Sequence, residues 1–258
     1  MKRLIRGLLL MLLALLIYNF FQLKFFKLVR VRLETNKTGQ EIRISQISDY
    51  HNNRLINTRA LAARLAEFDP HIIVLTGDMV DRRSQDFTRL EELLGDLAGL
   101  DKKIYMVLGN HELSQPRLDQ VLEILARHGV RLLDRELVRE GDFNIMGLAY
   151  RPVQAYGDLD WPDSRGAYSI LLCHDPAATN YLDLEDVDLV LSGHTHGGQV
   201  RLPFLGAILA PGQGFFPRLD KGLYNISGCQ VYVDSGLGTS LLPLRFLNRV
   251  QLSNISIN

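Results

Sequence analysis

Cysteine is scarce in this 258-residue chain: it has two, Cys173 and Cys229. Each lies in an apolar, strand-like run, where packing is the expected role. Two thiols so far apart in sequence pair only if the fold brings them together, so their number does not identify a redox compartment. Net charge is also missing, with 29 basic against 29 acidic side chains. No internal repeat or low-complexity stretch is evident, and the balance of apolar, charged and Gly/Pro residues is that of a globular protein rather than a disordered one. The zero charge hides an asymmetry. No acidic residue precedes Glu34, whereas Lys2, Arg3, Arg6, Lys24, Lys27, Arg30 and Arg32 are basic. The remainder therefore carries about −6. That argues against general nucleic-acid binding, whose affinity rests on phosphate neutralisation by Lys and Arg.

From Gly7 to Phe21 the chain reads GLLLMLLALLIYNFF between basic flanks. A helix needs ~20 apolar residues to cross a bilayer, and Leu4–Leu23 reaches that length with Arg6 and the flanking lysines extending outward. A cleavable signal would place small residues after the apolar stretch, but Tyr18, Asn19, Phe20 and Phe21 are mostly bulky. An uncleaved membrane anchor is expected over residues 1–26, a juxtamembrane segment over 27–41 and the main domain over 42–258. Basic residues lie on both sides, so the positive-inside rule favours neither orientation. The domain is expected at the cell membrane, on its extracytoplasmic side.

After a short strand and polar turn at 28–41, apolar strands alternate with amphipathic helices. The first unit is a strand at Ile42–Ser48, a helix at Thr58–Phe68 with Leu61, Leu65 and Phe68 on one face, and a strand at His71–Thr76. Asn57 caps that helix and Pro70 follows its end. Helices at Phe87–Leu97 and Leu118–Arg127 alternate with strands at Ile104–Leu108 and Val130–Leu133, a βαβ pattern. After Glu136 come shorter strands at Phe143–Leu148, Tyr168–Cys173, Leu189–Ser192, Gln230–Asp234 and Gln251–Ile255, with one short helix at Ala177–Leu182. The Gly/Pro-rich stretch 203–222 reads as an irregular insertion or hairpin. Its apolar part, Leu202–Phe216, is expected as a core hairpin, the alternative being a hydrophobic platform beside the site.

Five polar blocks each follow a strand: Asp49-Tyr50-His51, Gly77-Asp78, Gly109-Asn110-His111-Glu112, His174-Asp175 and Gly193-His194-Thr195-His196. Ligands gather at strand carboxyl ends in parallel α/β sheets, so the blocks are expected to converge. Asp49/His51 and His194/His196 are each two apart, and a strand's period of two would aim each pair at one ion. Glycines 77, 109 and 193 would admit close backbone approach or positive φ. Five of the seven histidines fall in these blocks. His71 and His128 are left to structural roles. Asp175 reads either as an acceptor behind a ligating histidine or as a cap before Pro176. Arg82 and Arg83 follow the second block, and Arg82 is retained as the candidate contact to substrate phosphate. Each block alone has a bland structural reading; all five in this order do not.

Together the blocks resemble the signature of the calcineurin-like metallophosphoesterase superfamily: D-x-H, G-D, G-N-H-[DE], H and G-H-x-H. SGHTHGGQ (Ser192–Gln199), RLPFLGAILAP from Arg201 and GLGTSLLPLRF (Gly236–Phe246) are similar to a membrane-associated bacterial branch that includes UDP-2,3-diacylglucosamine-type phosphoesterases. The resemblance implies a four-layer α/β/β/α sandwich, preceded here by the N-terminal membrane helix. It also implies two divalent ions, with Asp49, His51 and His196 on one, Asn110, His174 and His194 on the other, and Asp78 bridging them. Imidazole, carboxylate and amide donors suit manganese, iron or zinc, and an anionic bridge offsets repulsion between cations about 4 Å apart. By the same resemblance a hydroxide held by both ions would attack phosphorus, and His111 would assist the leaving oxygen with Glu112 or another carboxylate orienting its ring. Aspartate is the commoner residue at the Glu112 position in that family.

The expected partner is a phosphate-ester substrate, and the anchor with the apolar segment favours a lipid-linked phosphodiester or pyrophosphate. The alternative is a broader phosphodiesterase or phosphatase acting on nucleotides or cell-envelope phosphate polymers. A non-catalytic interaction module would show gaps in the ligand set, and there are none.

Overall fold

The computed structural model describes residues 1–152, 155–156, 166–239 and 242–258. Ser240 and Leu241 of the segment Gly236–Phe246 thus lie outside the described residues. Helix α1 (Lys2–Lys24) has 23 residues, about 35 Å at the α-helical rise. It is long and apolar enough to cross a bilayer. Residues 1–17 are exposed all round, whereas Leu23, near its end, is buried.

The chain then forms β1 (Lys27–Leu33), β2 (Ile42–Ile47), α2 (Thr58–Phe68), β3 (Ile72–Leu75), α3 (Thr88–Ala98), β4 (Lys103–Met106), a one-turn α4 (Asn110–Leu113), α5 (Leu118–Arg127) and β5 (Val130–Leu132). The second half contains β6 (Glu136–Glu140), β7 (Phe143–Leu148), β8 (Tyr168–Cys173) and β9 (Leu189–Ser192). Two small ribbons follow, β10 (Arg201–Leu202) with β11 (Gly206–Ala207) and β12 (Leu209–Ala210) with β13 (Gly214–Phe215). Last come β14 (Gly222–Ile226), β15 (Cys229–Val233) and β16 (Gln251–Ile257).

Two six-stranded sheets result, in the orders β1-β16-β2-β3-β4-β5 and β14-β15-β9-β8-β7-β6. Strands β2 to β5 are mutually parallel, as are β7, β8, β9 and β15. The continuous apolar runs are explained by burial on both faces. In β3, Ile72 and Val74 enter the layer between the sheets, while Ile73 and Leu75 face the helices. In β8, Ile170 and Leu172 enter the same central layer, while Leu171 and Cys173 face outward.

Leucines 61 and 65 of α2, four leucines of α3, and Val121 and Leu125 of α5 cover the first sheet. A 3₁₀ turn, Pro176–Asn180, with Leu184, Val187 and Leu219, covers the second. This is the expected α/β/β/α order, with a thin fourth layer among the described residues. The expected helix at Ala177–Leu182 is that 3₁₀ turn, opened by Pro176 and capped by Asp175, whose side chain accepts from Ala177 N–H. Cys173 and Cys229 are both buried and unpaired in the outer core of the second sheet.

The apolar stretch Leu202–Phe216 is not a core hairpin. Its strands turn Leu209 and Phe215 to solvent and bury Ala207 and Ala210, while Phe204 and Leu205 in the turn between β10 and β11, and Phe216 after β13, are exposed as well. Such short ribbons present too little surface for a second layer to cover both faces.

Candidate metal centre

The five blocks converge just beyond the carboxyl ends of β2, β3, β4, β8 and β9. They do not converge by strand periodicity. Asp49, His51, Asp78, His194 and His196 lie past the last strand residues and have φ between 47° and 67°, the left-handed region that β-carbon-bearing residues enter at a cost. These turns aim the side chains. Asp49 and His51 stay together, but His194 and His196 diverge into different clusters, so the period-two expectation fails for the second pair.

Asp49, His51 and His196 bring one ligand atom each within 4.8 Å of one another, and Asp78, His174 and His194 do the same. In the second cluster, His174 Nε2 lies 3.1 Å from His194 Nδ1 and 3.2 Å from both Asn110 Oδ1 and Asp78 Oδ2. His174 donates Nδ1–H to the Thr76 carbonyl at 2.7 Å, which turns Nε2 into the cluster. In the first cluster, His196 donates Nδ1–H to the Gly238 carbonyl, and its Nε2 faces Asp49 Oδ1 at 3.7 Å. Asp78 Oδ2 stands between the clusters, 3.7 Å from His51 Nε2 and 3.2 Å from His174 Nε2.

Close packing at two glycines holds the loops together. A β-carbon on Gly193 would stand 1.8 Å from Ser48 Oγ and 2.4 Å from Asp49 Oδ2. One on Gly77, at φ 90°, would meet His174 Nδ1 at 2.6 Å.

The electrostatics fit divalent cations. Both ring nitrogens of His51 are buried without a hydrogen-bond partner, an arrangement that costs about 1–3 kcal/mol per group unless something else satisfies it. Burial pushes the His51 imidazole down to about 4, keeping it neutral, and pushes the Asp49 carboxyl up to about 7. Burial also opposes charge on His174, but the carboxylates of Asp78 and Asp49 outweigh it and push the imidazole up to about 10. For Asp78, burial favours the proton, yet His174, His51 and His111 together hold the carboxyl well below its usual range. Both clusters offer only nitrogen and oxygen donors, a set suited to manganese, iron or zinc.

His111 sits beside these clusters, its ring centroid 4.7 Å from that of His51. Its Nδ1 accepts from Arg82 N–H at 3.1 Å and lies 3.2 Å from Asp81 Oδ2. Asp81 is the carboxylate beside this ring, and its Oδ2 also comes within 3.9 Å of His51 Nδ1. Glu112 does something else. Its carboxylate accepts from the backbone N–H groups of Asp78, Val80 and Gly109, too occupied with these loops to orient His111. Asp175 adopts its capping role, and His71 accepts from Arg43 N–H far from the site.

Arg82 approaches the centre through its backbone, with its side chain exposed. Arg83 and Arg54 instead line a cleft of about 500 Å³ that opens on His51. Tyr150 stands against the other side, its ring centroid 5.8 Å from His194 and 6.3 Å from His174. It follows β7 as the ligand blocks follow their strands.

A two-sheet sandwich with buried histidines and carboxylates gathered at strand ends defines a metal-dependent hydrolase. Calcineurin-like phosphoesterases match residues 42–198, and the chain belongs to that family. It is a metallophosphoesterase, a hydrolase of phosphoric esters with two divalent metals as cofactors. It is 31% identical over 246 residues to an "uncharacterized metallophosphoesterase" of Aquifex aeolicus, covering 90% of this chain and 91% of that protein. Identity to the "uncharacterized metallophosphoesterase Cj0846" of Campylobacter jejuni is 31% over 222 residues, 81% of this chain but 57% of that longer protein. A crystal structure 11% identical in sequence aligns over 76% of this chain and 91% of its own with a TM-score of 0.52, a likeness of fold alone.

Proposed function

We propose that this metallophosphoesterase is held to a membrane by residues 1–26 and hydrolyses a lipid-linked phosphodiester or pyrophosphate. The observation that carries the proposal is where α1 meets the sandwich. Strand β1 is parallel to β16, and β16 is antiparallel to β2. The start of β1, and α1 just before it, therefore lie at the end of the sheet where β2, β3 and β4 finish and the ligands gather. Asn53, two residues past His51, donates to the carbonyls of Leu237 at 2.6 Å and Leu23 at 3.5 Å.

Exposed apolar side chains occur in the segments around this end. Leu242, Leu244 and Leu247 are exposed in the segment that contacts α1, and Phe204, Leu205, Phe215 and Phe216 are exposed on the ribbons. The ribbons touch the site: a β-carbon on Gly212 would stand 3.0 Å from His194 Nε2. Apolar groups of this size beside an apolar helix match a bilayer surface and acyl chains.

In this reading Asp49, His51 and His196 hold one ion, Asn110, His174 and His194 the other, and Asp78 both. The bound ions supply Lewis acidity toward phosphoryl oxygens and lower the pKa of water. Because His111 Nδ1 accepts from Arg82 N–H, the neutral ring carries its proton on Nε2, the nitrogen left to donate to the leaving oxygen. Arg54 and Arg83 are positioned to meet substrate phosphate in the cleft at His51.

The test is turnover by the full-length protein in vesicles, comparing a lipid-linked diester with a soluble chromogenic diester. The double variant Phe204→Asp, Phe215→Asp is expected to lose about 10-fold or more in kcat/KM on the lipid substrate, given the ~1.5–3 kcal/mol gained on burying each phenyl ring. Turnover of the soluble diester should hold. Equal changes on both substrates, or none, would count against a lipid substrate.

A further inference from the structure

The last turns of α1 are tied to one particular stretch of the sandwich, residues 243–250. Asn19 Nδ2 donates to the Pro243 carbonyl at 2.8 Å, and Asn19 Oδ1 accepts from Arg245 N–H at 2.8 Å. Tyr18 Oη accepts from Leu247 N–H at 3.1 Å, and the Gln22 carbonyl accepts from Val250 N–H at 3.0 Å. The Tyr18 ring also packs on Phe246, with centroids 5.6 Å apart.

The same stretch supports His196 from two sides. Arg245 is fully buried, and its Nη2 donates to the carbonyls of Ser235 and Gly238. Gly238 O is the acceptor for His196 Nδ1–H, so Arg245 fixes the carbonyl that turns His196 Nε2 toward Asp49. Asn248 Nδ2 donates to the His196 carbonyl at 2.6 Å, with its amide oriented by Lys221 Nζ on Oδ1. The loop that Arg245 holds also packs on Asp49: a β-carbon on Gly236 would stand 2.6 Å from Asp49 Cβ. No such tie to α1 is found at Asn110, His174 or His194 among the described residues.

We infer that Asn19 and Arg245 are positioning residues through which the membrane helix holds the Asp49/His51/His196 cluster in ligating geometry, making occupancy of that one metal position depend on the docked anchor. The helix is thus a brace for half of the metal centre as well as a tether. The inference rests on the ligand assignment proposed above. Outer partners of a ligating histidine typically change metal affinity about 10- to 100-fold.

The experiment is a Mn²⁺ titration of the full-length protein in detergent micelles, read by calorimetry and by the electron paramagnetic resonance of bound Mn²⁺. Asp49→Ala and His194→Ala identify which class of site belongs to which cluster. Asn19→Ala and Arg245→Lys are expected to weaken the class lost in Asp49→Ala about 10-fold and leave the other within about 2-fold. Tyr18→Phe, which keeps the ring on Phe246, should move the same class in the same direction by less. Unchanged affinities in Asn19→Ala, or equal weakening of both classes, would overturn the inference while leaving the ligand assignment standing. If Asp49→Ala and His194→Ala remove the same class, the ligand assignment falls and the inference falls with it.

Discussion

If His174 ligates a metal as proposed, its proton sets the pH at which the centre can load. Its imidazole is pushed up to about 10 by Asp78 and Asp49 against the effect of burial, so near neutrality Nε2 carries a proton that a metal must displace. Asp49, pushed up to about 7 by burial, adds a second proton below that pH. Affinity must therefore fall as pH falls. Between about pH 7.5 and 8.5 the apparent Mn²⁺ affinity should rise about tenfold per pH unit, and more steeply below about pH 7. Competition with a colorimetric chelator measures this, and a flat profile would show that His174 is not a ligand. The gathering of these side chains at one place is legible in the sequence because histidines, carboxylates and glycines cluster at strand ends. Their backbone conformation is not, since nothing in the propensities of Asp or His calls for positive φ at five of these residues. Asp81 and Tyr150 carry no sequence signal because neither belongs to a motif, although both follow strand ends as the five blocks do.

The elements were legible where one force decided them. Helices α2 and α5 match their expected bounds residue for residue because an apolar stripe and clear end signals agree, with Asn57 Oδ1 accepting from Ala60 N–H as the cap of α2. At the ribbons β10 to β13 the sequence misleads, because apolar residues ordinarily report burial and here they are exposed. Helix α4 shows how much one turn can carry. Within it His111 faces the clusters, while Glu112 reaches back to Gly109 N–H and across to Asp78 and Val80 N–H. Adjacent substitutions should therefore part company. His111→Ala is expected to lower kcat by about 10²–10⁴ with metal content and melting temperature retained. Glu112→Ala strands three buried N–H groups, at about 1–3 kcal/mol each before relaxation, and should lower the melting temperature as well as metal content. Differential scanning calorimetry with metal analysis separates the two, and matching behaviour would contradict these roles.

On the scale of the whole molecule, the sheet topology decides where the apolar helix α1 attaches. A strand entering parallel to β16 must start at the end where β2 to β4 finish, so α1 lies at the catalytic end of the sandwich as a consequence of chain direction. The sequence disclosed the helix and the strand after it, but the pairing of β1 with β16 joins residues at opposite ends of the chain and leaves no local signal. Dividing the chain after residue 26 would cut through this joint. Leu23 is 6% exposed, and Tyr18, Asn19 and Gln22 each hold the 243–250 stretch. A protein shortened to 18–258 keeps these contacts, whereas one shortened to 27–258 loses them together with the burial of Leu23, worth about 1.5–3 kcal/mol. In a domain of this size 1 kcal/mol shifts the melting temperature by about 2–4 °C, so 27–258 should melt at least about 5 °C below 18–258 with both in the same detergent. Equal melting temperatures would mean that the end of α1 merely rests on the domain, and that the tie between α1 and the 243–250 stretch carries no energy.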